Sequence, residues 1–350
     1  MSNESLVVAL DDGYAAYDQE EALLAAAGAR FSLRPCRRNE DAALDAVRDA
    51  DVVLVRESPV TRRIIEAMAN CQAIIRYGIG VDNIDQVAAR EKRIRVVNVP
   101  DYGTDEVSSH AVALALSVGR RIGLHDAEVR AGRWSTGVLQ PMVRWRGRTL
   151  GLVGFGRIAR MTLDKLRGFG FGRVLVCDPG ADLPPGVERA DIDTLCAEAD
   201  VISLHAPLNE NTRHLINAQR LALMRPTAIL VNTARGGLVD TDALCEALQA
   251  RRILGAGLDV FEQEPLPATS PLLHNDAVIA TPHLGYVEQK SGARDRRERR
   301  LWLTEKGTKL ELDLTDRQSQ RFARAYRETG ADQHADAQHR NVRPHDRQPG

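Results

Sequence analysis

The stretch TLGLVGFGRIA, residues 149–159, constrains the fold of this chain more than any other. An apolar, strand-like run leads into Gly154 and Gly156, and a helix-like segment follows from Ile158. Glycine permits a tight strand-to-helix turn, and its missing side chain lets backbone N–H groups approach a phosphate at the positive end of a helix. At the third small position Ala159 suffices, because only close helix packing is needed there. The stretch predicts a dinucleotide-binding βαβ unit.

An acid at the end of the next predicted strand indicates which dinucleotide is bound. The apolar run 174–176 is followed by Cys177 and Asp178, and Asp178 lies twenty-two residues after Gly156. A carboxylate at this point accepts hydrogen bonds from the adenosine ribose, which favours NAD over NADP. A glycine-rich turn alone is weak evidence because such turns are common. Here the strand, the helix and the acid occur together, so we predict NAD as the cofactor.

Composition excludes several other classes of function. The chain has 350 residues, enough for about two domains with sizeable cores. Its formal net charge is −1, and charges of both signs are spread along it, so we expect no membrane and no general nucleic-acid partner. No apolar run approaches the roughly 18 to 20 residues of a membrane span, and the N-terminal residues do not resemble a signal peptide.

The cysteines give no sign of a metal site or a disulfide framework. There are five, far apart and without CxxC spacing: Cys36, Cys71, Cys177, Cys196 and Cys245. Widely separated cysteines of this kind are typical of reduced thiols, so we predict a cytoplasmic protein without a metal.

Strands that alternate with helical segments predict two parallel α/β domains. The first, residues 1–100, has strands predicted at 6–10, 50–55, 72–77 and 95–99, and we interpret it as a flavodoxin-like substrate domain. The second, residues 101–285, opens with a helix predicted over 105–122, whose apolar face can pack internally or line a dimer interface. Six strands follow and predict a doubly wound Rossmann domain that binds NAD: 150–153, 174–177, 201–205, 228–232, 256–260 and 278–280.

Three polar residues follow successive strands of the second domain. Arg235 comes after the strand 228–232, and Glu264 and His283 come after the next two strands. Taken singly, such residues are most often caps or surface charges. Because the reactive site of an open α/β sheet lies at the carboxyl ends of its strands, the three together predict a catalytic site.

At this point the motifs resemble a known family. NTARGGLVD, GLDVFEQEP and TPHLG, together with GFGRIA, are similar to the D-isomer-specific 2-hydroxyacid dehydrogenases. RYGIGVDNID and VVNVPDYGTDEV extend the resemblance into the first domain, towards the branch that includes the C-terminal-binding-protein co-repressors and many bacterial dehydrogenases. The resemblance covers about residues 5–285. It implies an NAD-dependent oxidoreductase that moves a hydride between nicotinamide and C2 of a small 2-hydroxy or 2-oxo acid.

The resemblance also implies roles for individual residues. Arg235 would bind the substrate carboxylate and keto oxygen, His283 would act as the acid/base, and Glu264 would orient His283. Asp259 would meet the nicotinamide carboxamide. The predicted cofactor-binding set is Gly154, Gly156, Arg157, Ile158, Asp178, His205, Pro207, Thr212, Thr233, Ala234 and Asp259. The predicted substrate-binding set, through backbone N–H groups, is Tyr77, Gly78, Ile79 and Gly80.

The sequence departs from the family pattern after residue 285. The dehydrogenases normally cross back there and add a helix to the first domain, but about residues 286–330 resemble the wing and following helix of MarR-type regulators. Asp295, Arg296 and Arg297 would lie in the wing, and LTEKG would open the helix. No recognition helix precedes them, so we do not expect specific DNA binding. Residues 331–350 are almost free of apolar side chains, which predicts disorder.

Two functions remain open at this stage. The first is a dehydrogenase, expected from the family to form a homodimer. The alternative is an NAD(H)-binding regulatory protein with weak or no turnover, because a missing C-terminal helix would leave apolar surface exposed and impair closure. The sequence does not identify which 2-hydroxy acid is the substrate.

Overall fold

The computed structural model describes residues 4–12, 17–99, 103–134 and 142–285, and the backbone of 299–305 and 308–314. The chain divides into two compact units between Tyr102 and Gly103. Each unit has its own parallel sheet.

The first unit is a five-stranded parallel sheet in the order β2-β1-β3-β4-β5, the flavodoxin-like order that we expected. Its strands are β1 (Ser5–Ala9), β2 (Ala29–Leu33), β3 (Val52–Val55), β4 (Ala73–Arg76) and β5 (Arg95–Val97). Its helices are α1 (Asp18–Ala26), α2 (Glu40–Val47), α3 (Arg62–Ala67) and α4 (Gln86–Glu91). Helices cover both faces of the sheet, so β3 is buried along its whole length and is continuously apolar.

The second unit is a seven-stranded parallel sheet in the order β12-β11-β10-β9-β6-β7-β8. Its strands are β6 (Thr149–Val153), β7 (Arg173–Cys177), β8 (Glu188–Arg189), β9 (Val201–Leu204), β10 (Ile229–Asn232), β11 (Gly255–Leu258) and β12 (Val278–Ala280). Its helices are α5 (Thr104–Gly119), α6 (Ile122–Arg130), α7 (Arg157–Leu166), α8 (Ile192–Glu198), α9 (Ala218–Leu223) and α10 (Thr241–Gln249). The strand order reverses between β6 and β9, which confirms the doubly wound fold and places a ligand crevice at the carboxyl ends of these strands.

The prediction of one helix over 105–122 is wrong at its C-terminal end. α5 ends at Gly119, and Arg121 takes a left-handed conformation with φ +54° before α6 begins at Ile122. One left-handed residue is enough to end a right-handed helix and turn the chain. The two helices are therefore separate elements.

Beyond residue 285 the structure describes one antiparallel hairpin, β13 (Arg299–Glu305) with β14 (Thr308–Leu314). The prediction that LTEKG opens a helix is wrong, because Leu303, Thr304 and Glu305 lie in β13. The segment TKLELDL alternates polar and apolar residues with a period of two, which is typical of a strand. Residues 295–297 and the tail 331–350 lie outside the described residues, and the MarR-like wing stays a prediction.

The described part of the chain contains no helix with the length and hydropathy needed to cross a membrane. Its histidines, cysteines and acids form no group of three with the geometry of a metal site. All five cysteines are free. Burial raises the pKa of the Cys71 and Cys196 thiols to about 12, so both behave as small apolar side chains.

Candidate active site

The predicted phosphate-binding turn joins β6 to α7. Gly154 has φ +83°, and a Cβ added to it would lie 2.9 Å from backbone atoms of His205 and Ala206, so the turn requires glycine at this position. Gly156 precedes α7 in an extended conformation, and no side chain caps the first turn of the helix. The first turn of α7 therefore lies at the positive end of the helix dipole, where an anion would be stabilised.

Asp178 lies beside this turn, at the end of β7. One carboxylate oxygen accepts a hydrogen bond from the backbone N–H of Phe155 at 2.8 Å, and the other accepts one from Gly180 at 3.0 Å. Arg189 on β8 donates to the carbonyl oxygens of Asp178 and Ala181. These contacts fix both the acid and the loop that follows it.

A cavity of about 630 Å³ opens next to Asp178. Apolar side chains, including Pro179, Ala190 and Ile192, line the cavity together with charged ones: Arg173, Asp178, Glu188, Arg189, Asp191 and Glu198. Ligand pockets for small molecules have volumes of roughly 300 to 1,000 Å³. The cavity therefore has the size to hold an adenosine group.

On the other side of the switch point, β9 and β10 end in polar residues. His205 has Nε2 3.0 Å from the Ser203 hydroxyl, and desolvation lowers the pKa of His205 to about 4, so the ring is neutral at neutral pH. The Thr212 hydroxyl donates to the carbonyl oxygen of Pro207 at 2.7 Å and closes a turn. The Thr233 hydroxyl is buried and has no hydrogen-bond partner among the described residues. A bound ligand would supply that missing partner.

Arg235 is held by Asn232, a residue that our sequence analysis did not single out. The Asn232 side chain, 1% exposed at the end of β10, donates to the carbonyl oxygen of Arg235 at 2.8 Å and accepts from the Ala234 N–H at 3.0 Å. At Gly236 an added Cβ would lie 1.9 Å from the carbonyl carbon of Phe261. The loop that carries Arg235 thus packs directly against the loop that follows β11.

Glu264 and His283 form a hydrogen-bonded pair. His283 Nδ1 lies 2.9 Å from one carboxylate oxygen of Glu264, and the other oxygen accepts from the Phe261 N–H at 2.9 Å. Burial by itself would raise the pKa of Glu264. The bonds from His283 and Phe261 and the charges of His283 and Arg235 outweigh this effect, and they hold the pKa below its ordinary value. Glu264 is therefore ionised beside the imidazole.

Asp259 lies at the end of β11, buried beneath the segment that carries His283. Its carboxylate accepts from the Thr281 hydroxyl at 2.6 Å and from the N–H groups of Leu284 and Gly285 at 2.9 and 2.8 Å. Burial favours a raised pKa for Asp259, but these bonds and one from His110 outweigh it, so the pKa is lowered. All of these partners belong to the protein, and the expected contact with a nicotinamide carboxamide stays a prediction.

In the first unit, the predicted substrate-binding turn follows β4. The N–H of Tyr77 donates to Val55 and that of Gly78 donates to Arg76, both at 2.8 Å, so these two groups are already used within the protein. The N–H groups of Ile79 and Gly80 have no acceptor among the described residues. Within the predicted substrate-binding set, the backbone N–H groups of Ile79 and Gly80 are therefore the candidates for binding the substrate, and this contact stays a prediction.

Similarity to known proteins decides the family. Residues 112–285 match the sequence profile of the D-isomer specific 2-hydroxyacid dehydrogenase, NAD binding domain. A hydroxypyruvate reductase of Thermotoga maritima is 42% identical over 253 residues, which cover 70% of this chain and 81% of that protein. The chain belongs to the D-isomer-specific 2-hydroxyacid dehydrogenases.

Two further comparisons show how much of the chain is similar to known dehydrogenases. A D-3-phosphoglycerate dehydrogenase of Methanocaldococcus jannaschii is 43% identical over 248 residues, which are 69% of this chain and 47% of that protein, so the chain spans about half its length. The crystal structure of the Aquifex aeolicus D-lactate dehydrogenase, complexed with NAD and lactic acid, has a TM-score of 0.74 and 28% identity. The match covers 82% of this chain and 90% of that one.

These findings confirm that the chain is an NAD-dependent oxidoreductase with an α/β fold. The residues around the glycine turn fit NAD: the start of α7 would hold the pyrophosphate, the cavity beside Asp178 would hold the adenosine, and the buried Thr233 hydroxyl would bond a polar group. The branch resembling C-terminal-binding proteins stays a prediction.

Proposed function

We propose that this dehydrogenase interconverts a small 2-oxo acid and its D-2-hydroxy acid, with Arg235, Glu264 and His283 as catalytic residues. The observation that carries the proposal is the 2.9 Å hydrogen bond between His283 and the ionised Glu264. The relatives described above are named for hydroxypyruvate, D-3-phosphoglycerate and D-lactate, all short acids oxidised or reduced at C2. A short 2-oxo acid of this kind is the substrate class that we infer.

The Glu264–His283 pair provides the proton transfer. Nicotinamide, when NAD is bound, supplies or accepts the hydride at C2 of the acid. Glu264 accepts the Nδ1–H bond, which fixes the ring orientation and leaves proton exchange with the C2 oxygen to Nε2. In the reductive direction His283 starts as an imidazolium stabilised by the Glu264 carboxylate and donates its proton to the oxygen. In the oxidative direction it removes that proton.

Arg235 provides the charge that holds the acid. A guanidinium presents a rigid, planar fork of donors, which suits a 2-oxo acid with its carboxylate and keto oxygen in one plane. The two bonds from Asn232 to the flanking backbone limit the movement of Arg235.

Kinetics with matched variants test these roles. NADH oxidation is followed with hydroxypyruvate, glyoxylate and pyruvate, and NADH affinity is measured separately by fluorescence titration. We expect Arg235→Ala and His283→Ala to lower kcat/KM by about 100- to 10,000-fold, with NADH affinity essentially unchanged. His274→Ala, at an exposed histidine, is the control and should behave as wild type.

The outcomes separate the two candidate functions. Full activity in His283→Ala would refute the assignment of the acid/base. A wild-type protein that binds NADH but turns over none of the acids would instead favour the alternative of an NAD(H)-binding regulatory protein.

We further propose that the second unit forms a homodimer around α6. No residue of this helix is buried, and Ile122 and Val129 are 52% and 54% exposed. Trp134, which follows α6, is 85% exposed. Clustered apolar side chains on a surface mark an interaction site. A second copy of the chain is the partner that the family resemblance implies.

A further inference from the structure

His110, on α5, contacts the network beneath the His283 segment. Its Nε2 lies 2.9 Å from the Thr281 hydroxyl oxygen and 3.3 Å from a carboxylate oxygen of Asp259. The imidazole also packs against the backbone of Gly285, where an added Cβ would lie 3.5 Å from the ring carbon Cδ2. No sequence motif assigns this histidine a function.

The direction of each hydrogen bond follows from the chemistry of the partners. The Asp259 carboxylate is ionised and can only accept, so the Thr281 hydroxyl uses its one hydrogen in the 2.6 Å bond to Asp259. The Thr281 oxygen then faces His110 as an acceptor. His110 must therefore carry a hydrogen on Nε2, which it donates to Thr281 and, at longer range, to Asp259.

The network determines the conformation of the catalytic segment. His283 has φ +55°, a left-handed conformation that is strained for a residue with a side chain. It is held by its own N–H, which donates to the Asp259 carbonyl at 2.8 Å, and by the N–H groups of Leu284 and Gly285, which donate to the Asp259 carboxylate. The position of His283 therefore depends on the position of Asp259.

We propose that His110 is a positioning residue for the reaction: through Thr281 and Asp259 it holds the left-handed turn that presents His283 to the substrate. This inference rests on the proposed function, in which His283 transfers the proton. His110 itself touches neither reacting atom. Its contribution is the Nε2–H donor, without which the Thr281 hydroxyl can rotate and the Asp259 carboxylate loses part of its support.

Two pairs of variants isolate the hydrogen bonds from packing. His110→Leu fills the space but has no donor, whereas in His110→Gln the amide nitrogen reaches the position of Nε2 and restores one. Thr281→Val removes the hydroxyl at nearly constant volume, and Thr281→Ser keeps it. Both members of the first pair remove the titratable group, so any difference between them reports the N–H donor.

The first readout is steady-state kinetics on the 2-oxo acid that wild type turns over best. Because a displacement of about 1 Å at a catalytic group costs on the order of 100-fold, we expect His110→Leu and Thr281→Val to lower kcat by about 10- to 100-fold. The KM for NADH should not change. His110→Gln and Thr281→Ser should recover most of the activity, and the double variant His110→Leu/Thr281→Val should be no worse than either single one.

The second readout is hydrogen exchange at the amides of Leu284 and Gly285, which does not require turnover. We expect exchange to accelerate by about tenfold or more in His110→Leu and to match wild type in His110→Gln. Equal protection and equal kcat in His110→Leu would overturn the proposal, as would a His110→Gln variant as impaired as His110→Leu. If wild type turns over no acid, the proposed function fails, and the exchange rates alone still decide the role of His110.

Discussion

In the glycine turn between β6 and α7, alanine can be introduced at two positions, Gly154 and Gly156, whose surroundings differ. At Gly154 the backbone has φ +83° and an added Cβ would lie 2.9 Å from the backbone of His205 and Ala206. At Gly156 the backbone has φ −75°, and no atom lies within 4 Å of an added Cβ. Gly154→Ala should therefore damage the fold, whereas Gly156→Ala should damage only the approach of a ligand.

The expected magnitudes follow from these contacts. A left-handed conformation costs a residue with a side chain roughly 1 to 2 kcal/mol. Overpacking against backbone atoms that cannot move freely adds about 1 to 3 kcal/mol. Gly154→Ala should thus lower the free energy of unfolding by about 2 to 5 kcal/mol, which for a domain of this size is a fall in Tm of about 4 to 20 °C. Gly156→Ala should leave the Tm of the protein without NAD within about 2 °C of wild type.

Thermal unfolding with and without NAD distinguishes the two effects. Wild type should gain stability as NAD is added, because only the folded chain binds it. Gly156→Ala should lose most of that gain, because its methyl group occupies the space beside the start of α7. A Gly154→Ala variant with wild-type Tm would refute the argument from backbone strain. A Gly156→Ala variant with the full stabilisation by NAD would refute the assignment of this turn to the pyrophosphate.

Two other predictions concern the cofactor and the assembly. Asp178→Ala should weaken NAD binding by about 10- to 100-fold, the value of a hydrogen bond to a charged group, and should raise the affinity for NADP relative to NAD. Isothermal titration calorimetry with both dinucleotides measures the two affinities. An unchanged preference for NAD would contradict the role of Asp178. Trp134→Glu should convert the proposed dimer to a monomer in sedimentation velocity, because it places a charge in an apolar interface; a wild-type monomer, or a variant that stays dimeric, would argue against that surface.

Six of the seven strands of the second unit could be predicted, all but β8, because burial leaves a strong signal in the sequence. Strands buried on both faces, such as β9 (VISL) and β10 (ILVN), are mostly apolar. The first unit was harder to predict. β2, with the sequence ARFSL, is only partly buried, and α2 and α4 have just eight and six residues. Short elements with weak periodicity are easily taken for loops.

The residues at strand ends were predictable for a similar reason, since parallel strands bring their carboxyl ends to one edge. The supporting contacts were not predictable. Asn232 acts on the backbone beside it, but a lone asparagine at a strand end has many possible roles. His110 meets Thr281 only because α5 packs beside β11 and β12, and no local spacing encodes that approach.

The bond between His110 and Thr281 joins residues 171 positions apart. Contacts between distant parts of a chain form late, since the intervening loop must first be closed at a cost in entropy. During synthesis, which runs from the N-terminus, α5 is made long before the segment that completes the network. The carboxylate of Asp259 likewise accepts hydrogen bonds from Leu284 and Gly285, which are synthesised after it. The hydrogen bonds that hold the left-handed turn at His283 therefore join residues from both ends of the second unit, and a nascent chain that ends before Gly285 cannot complete them.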